Sequence, residues 1–259
     1  MIPVSSAESS GILLHARHAF MPNKLGYCGP DDRGKIQQCL EGSTVDGQLI
    51  STLKNFEAAY PFLRLIAKAT GRESFDYKVA EAYWIGNELL NQVLPDQFYN
   101  FALTDLRKKN RAEIRDLFLN LQNRALPHHT FYVLNTAINV ISDHHHTTAA
   151  APKALTEMVD NCRISWGRVV RVEKDKLVVK YRPLGFKDGR IKFKPYALRK
   201  VSYDRELSPF DKIASGTPVS IHWNFACDVL SEGQLRNIEK YTIGDVNSTN
   251  FYLSMIRRA

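Results

Sequence analysis

Residues 162–170 read CRISWGRVV, and residues 176–181 read KLVVKY, with a Lys174-Asp175 turn between them. Ahead of Cys162 apolar residues recur at helical spacing. Behind it they come in short β-branched runs broken by turn residues. This change of period decides the fold, with helices before it and strands after it. Ile164–Val172 and Leu177–Tyr181 are the first two strands, and Ile191–Phe193 and Val219–Trp223 are further candidates. Gly185, Gly189, Pro195, Pro209, Gly216 and Pro218 punctuate this half. Strands so short, with turns so frequent, predict a small β-barrel. Helical spacing returns at SEGQLRNIEKYT, with Ser231 as N-cap and Leu235, Ile238 and Tyr241 on one face.

Working back from Cys162, residues 1–9 are small and polar and read as loose. From Val45 to Thr70 the residues Leu49, Leu53, Phe56, Tyr60, Leu63 and Ile66 keep helical spacing, and Pro61 should kink or split that helix. Asp76 is the expected N-cap of YKVAEAYWIGNELLNQV, in which Glu81, Trp84 and Glu88 would share a face, with Arg17 or a histidine as partner for a buried glutamate. Pro95 opens a further helix through Leu106. Helices are also expected over Glu113–Leu126 and Thr130–Ser142. The run TTAAAP (147–152) reads as a linker, and KALTEMVDN as a short helix. The fold class is α+β, with an all-α domain over residues 1–155, then a small β-barrel with C-terminal helices over 156–259.

Of 259 residues, 44% are hydrophobic and 24% charged, an ordinary soluble composition. No apolar run approaches the roughly 18–20 residues that span a bilayer. The N-terminus lacks a basic cluster, and His15, Arg17 and His18 interrupt its apolar stretch, so no signal peptide is expected. The protein is expected to be cytoplasmic, without membrane contact. Cys28, Cys39, Cys162 and Cys227 then read as thiols, and no CxxC pair suggests a zinc finger. The net charge of +8 is concentrated: residues 162–212 carry 15 Lys and Arg against 6 Asp and Glu. Such a surplus suits nucleic acid or an acidic protein partner, and equally a solvated surface.

CRISWGRVV, the following strand, and GTPVSIHWNFACDVLSEGQL together form an ordered set. It resembles the HypC/HupF family of nickel–iron hydrogenase maturation chaperones. That family opens with Cys, four residues and Gly before a strand. It closes with Gly, Val, His, Phe-Ala and Leu ahead of an acidic turn and a helix. Cys162 and Gly167 hold the opening spacing, and Gly216, Val219, His222, Phe225, Ala226 and Leu230 the closing one. The resemblance covers about residues 162–245 and implies an OB-like barrel. In the family the Cys follows the initiator Met, whereas Cys162 is internal and offers no amine. The segment from Leu184 to Tyr203 is long and basic, and Trp223 and Asn224 replace smaller residues. The helical half is similar to stretches of uncharacterised bacterial proteins encoded near hydrogenase genes.

The resemblance implies a binding and transfer protein, not an enzyme. No tightly bound cofactor is expected, only transient iron bearing cyanide and carbon monoxide. Partners would be the hydrogenase large subunit or other maturation proteins. Cys162 and His222 would be the metal ligands, since thiolate and imidazole both suit iron. Arg163 and Arg168 are expected to favour the Cys162 thiolate. Without the resemblance, Cys162 reads as a small buried residue and His222 as a hydrogen-bonded strand histidine.

Two other readings come from the residues. Phe193, Tyr196 and Tyr203 interleave with Lys and Arg in GRIKFKPYALRKVSYDR, as in a single-strand nucleic-acid groove. In MPNKLGYCGPDDRG (21–34), Gly and Pro can expose Cys28 as a nucleophile with His129 as base, the pair that a cysteine-dependent enzyme in the helical domain would use. Asp31 or Asp32 equally reads as the N-cap of a helix near Arg33. His15, His18, Cys28 and His129 are candidates to converge, while His144–His146 suit a solvated helix end.

Overall fold

The computed structural model describes residues 5–32, 34–105, 115, 117–119, 121, 125–135 and 151–256. Most of the helix expected over 113–126, the end of that expected over 130–142, His144–His146 and residues 147–150 lie outside them. Among the described residues no helix is long and apolar enough to cross a membrane.

Helix α1 (Ser6–Lys24) starts earlier than composition suggests, because Ser5 and Glu8 close a reciprocal capping box. Helix α2 (Lys35–Glu41) follows Gly34 without a side-chain cap, so neither Asp31 nor Asp32 has the expected capping role. Pro61 splits its helix rather than kinking it. Helix α3 (Gly47–Lys54) is capped by Asp46, and α4 (Tyr60–Thr70) carries Pro61 in its first turn, where no N–H is missed. Asp76 caps α5 (Tyr77–Trp84) as expected.

The long helix expected after Asp76 ends at Trp84. Gly86 turns the chain at φ +92°, and a Cβ there would lie 2.3 Å from the Tyr241 ring. A 3-10 turn (Glu88–Gln92) and α6 (Pro95–Asp105) follow. Glu88 therefore leaves the face it was expected to share. Buried Glu81 bonds Lys78, Asn87 and Gln234, not Arg17 or a histidine. Residues 129–135 are helical, and α7 (Ala151–Cys162) ends on the motif cysteine.

The period change at Cys162 coincides with the end of α7 and the start of the strands. Strands β1 (Ser165–Val172), β2 (Lys176–Tyr181), β5 (Ala197–Ser202), β6 (Pro218–His222) and β7 (Phe225–Val229) close a barrel in the order β1-β2-β5-β7-β6. Strands β3 (Leu184–Lys187) and β4 (Arg190–Phe193) form a separate hairpin. Gly167 is needed where β1 crosses β2, since a Cβ would sit 2.6 Å from the Lys180 carbonyl oxygen. Val169, Leu177, Val179, Val201, Val219 and Ile221 fill the barrel. The C-terminal helices are one helix, α8 (Glu232–Ile256), which Ser231 and Gln234 start with a second capping box.

A larger apolar core runs through both halves, from Ile12, Phe20 and Phe62 to Phe225, Cys227 and Leu253. Helix α1 packs on α5 and on β6 and β7. Arg17 fixes that contact with a 2.6 Å ion pair to Asp228. On the far side, Asn250 of α8 both donates to and accepts from the Ile191 backbone at 2.8 Å.

Candidate metal centre

The join between helices and barrel places three donors together. Cys162 ends α7, His222 ends β6, and His129 opens the 129–135 helical stretch. One ligand atom from each lies within 4.8 Å of the other two. Tetrahedral bonds of about 2.0–2.3 Å would set donors about 3.3–3.7 Å apart, so a cation needs only a modest contraction.

The hydrogen bonds around the histidines define what each ring offers. His222 Nδ1 donates to the His18 carbonyl at 2.7 Å, so Nε2 carries the lone pair. That Nε2 is buried and has no hydrogen-bond partner. A ring N–H on a backbone carbonyl with the opposite nitrogen bare is the arrangement that orients a metal-binding histidine. His129 lies between the Cys162 carbonyl, 2.9 Å from Nε2, and the Tyr83 hydroxyl, 3.1 Å from Nδ1. The carbonyl can only accept, so His129 Nε2–H donates to it and Nδ1 accepts from the Tyr83 hydroxyl. To bind a cation through Nε2, His129 has to give up the bond to the Cys162 carbonyl and carry its proton on Nδ1, where the Tyr83 hydroxyl can accept it.

Burial keeps the cluster neutral when no cation is bound. It pulls His129 well below the ordinary imidazole range, with His222 adding to the effect. Burial likewise lowers His222 to about 4. Cys162 keeps some surface in solvent, but its sulfur is crowded enough that burial pushes the thiol up to about 12. The expected help from Arg163 and Arg168 is absent. Arg163 is turned away into a pair with Asp160 and a bond to the Arg182 carbonyl. Arg168 reaches the Gly216 carbonyl and Glu232. A cation would have to displace the Cys162 proton itself, and thiolate–metal bonding supplies the free energy for that. A sulfur and two imidazoles favour iron, zinc or cobalt over magnesium or calcium.

The surrounding fold holds the donors rigidly. His222 and Phe225 are register partners, so Trp223 and Asn224 form a two-residue hairpin loop. Both have positive φ, 49° and 60°, a conformation in which a tryptophan is strained. The Trp223 N–H donates to the Asn161 carbonyl, and Arg199 donates to the side chains of Asn161 and Asn224. The end of the Cys162 helix and the end of the His222 strand are thereby tied together.

The other candidates fall elsewhere. His18 stacks on Trp84 with its Nε2 3.1 Å from Ser220 Oγ, and His15 accepts from the Trp84 indole. His128 turns the opposite way from His129 and pairs with Asp245 of α8 at 2.5 Å. Cys28 is outside the set of three donors. His129, named as a base for Cys28, bonds Tyr83 and the Cys162 carbonyl in this structure, and its grouping with Cys162 and His222 was missed. The signal was the Pro127-His128-His129 sequence: successive residues at a helix start point about 100° apart, so both histidines cannot serve one purpose.

The family match covers nearly the whole chain, residues 7–255. The chain belongs to the DUF6390 family, a family of unknown function. No curated protein and no solved structure matches it. The three donors all fall inside the matched span, as does the whole barrel.

Proposed function

We propose that this DUF6390 chain is a metal-handling accessory protein that holds an iron-like cation at Cys162 and His222, with His129 as third donor. Its work is binding and transfer through protein contacts, without turnover. The observation that carries this reading is the meeting of three donors from separate elements within 4.8 Å of one another, with His222 Nε2 buried and unpartnered. The barrel motif makes nickel–iron hydrogenase maturation the setting, in the cytoplasm. The cargo is iron bearing cyanide and carbon monoxide, and the partner is the large subunit or another maturation protein. No tightly bound cofactor is required by this reading.

Anaerobic titration with Fe(II) tests the site. One ion per chain should bind the wild type, and Cys162→Ser or His222→Ala should lose it with the fold intact by circular dichroism. Wild-type protein that binds no Fe(II) overturns the reading. The partner is tested separately: a strain carrying only Cys162→Ala should lose hydrogenase maturation, and normal hydrogenase activity there refutes that setting.

One surface favours a second reading. Tyr196 is 61% exposed, with Lys180 Nζ 5.3 Å and the Arg182 guanidinium 5.5 Å from its ring centre. Aromatic faces among cations suit unpaired bases. Salt-dependent binding of a generic single-stranded oligonucleotide, weakened by Tyr196→Ala, would support it. No binding at low salt removes it.

A further inference from the structure

We propose that Cys28 is a fourth ligand to the cation held by Cys162, His222 and His129, carried on the loop through which the ion enters. The inference rests on the metal-handling reading above and adds to it the coordination number and the entry side.

The loop after α1 is built to hold Cys28 in place. Gly26 and Gly29 take positive φ, 75° and 84°. Buried Asn23 donates to the carbonyls of Cys28 at 3.2 Å and Pro30 at 2.7 Å, and the Cys28 N–H donates to the Pro22 carbonyl. A Cβ on Gly29 would lie 2.4 Å from the Phe56 ring, so the loop is pressed onto the helical core.

The preceding residue ties the same loop to the metal centre. The Tyr27 ring lies 4.2 Å from the Trp223 ring, centre to centre. Trp223 directly follows His222, and its N–H is bonded to the residue just before Cys162. Cys28 is thus next in sequence to the residue that docks on the tip between two of the donors. Cys28 is half-buried and packs against the same apolar core as Cys162.

The observation that points to a cation here is the buried His222 Nε2, 2% exposed as a residue and without a partner. Three donors in place and one set back on a partly exposed loop describe a site that opens on one side. Tyr27 is 64% exposed, so the loop presents that side to solvent. Closing the loop by a small movement would complete a four-coordinate centre of two thiolates and two imidazoles, the closed arrangement of a held ion. Drawing it back leaves a three-coordinate ion that a protein thiol can take. The ligand class is a borderline divalent cation: Zn(II), Fe(II) or Co(II).

Co(II) is the probe, because each coordinated thiolate contributes its own sulfur-to-cobalt charge-transfer absorption. The wild type should show the intensity of two thiolates. Cys28→Ser and Cys162→Ser should each lower it about two-fold, and the double variant should abolish it. Undiminished intensity in Cys28→Ser overturns the fourth ligand and leaves the three-donor site standing. No charge-transfer band in the wild type overturns both. X-ray absorption on Zn(II)-loaded wild type needs no variant to fold. Two sulfurs and two nitrogens support the inference, and one sulfur with two nitrogens defeats it.

Discussion

His15 of α1 and His222 at the end of β6 are both buried and lie 207 positions apart in sequence, yet they present opposite chemistry. His15 Nδ1 accepts from the Trp84 indole, so its Nε2 carries the proton. That N–H faces a cage of rings, with Phe56, Phe75 and Trp84 centred 5.5–6.0 Å away. His222 Nδ1 donates to a carbonyl, so its Nε2 is a bare lone pair beside a sulfur and a second imidazole. One hydrogen bond fixes the tautomer in each case. The lesson is that burial alone does not mark a ligand; the polarity of the exposed nitrogen and its nearest donors do.

The contrast is broken most sharply by metal binding. His222→Ala should weaken Co(II) binding by more than about 100-fold, beyond the loss typical of a supporting residue. His15→Gln, which keeps an acceptor for Trp84, should leave it unchanged. Equal losses on isothermal titration would mean the two histidines are not distinct.

A second test strikes only the aromatic cage. Gly11 of α1 lies against the Phe75 backbone, where a Cβ would meet the carbonyl oxygen at 2.0 Å. Gly11→Ala should lower unfolding free energy by about 1–3 kcal/mol through that clash, measured in urea, while metal stoichiometry persists. A third test strikes only the seam. Tyr83→Phe removes the hydroxyl that meets His129 Nδ1 and that would accept its proton on metal binding, and affinity should fall about 10-fold, with little change in melting temperature.

A fourth test is read from pH. Burial, with His18 adding to it, lowers His15 from 6.5 to about 3 in the folded protein. The unfolded chain therefore takes up this proton first as pH falls. The contribution of neutral His15 is complete above pH 6.5 and is lost on going down toward pH 3. Over that window it should give a slope of about 1.4 kcal/mol per pH unit. His15→Gln should flatten the stability profile by that one proton; an identical profile would place His15 in a protonated or solvated state.

Much of the fold was legible because local rules and tertiary packing agree. Asp76 and Ser231 cap the helices they were expected to cap. The shift from helical to alternating spacing at Cys162 coincides with the first residue pairs of the barrel. Strands β5 and β7 were harder to read: β5 has only Val201 buried, and β7 is buried along nearly its full length, so neither alternates cleanly. The helix after Asp76 was overextended because Gly86 looks tolerable inside a helix until Tyr241 arrives from α8. At the site, Cys162 and His222 were visible as a spaced pair. His129 was named as a base for Cys28 and as a candidate to converge with His15, His18 and Cys28, but was not grouped with Cys162 and His222.

By itself the sequence determined the order of elements and the barrel, since periodicity and caps act over a few residues. Tertiary structure alone decided which nitrogen His129 and His222 show and which cysteine is beside them. These depend on contacts between residues 33 to 204 positions apart. Hydrogen-bond direction and burial at such separations are set when the helices close against the barrel, and no local pattern encodes them.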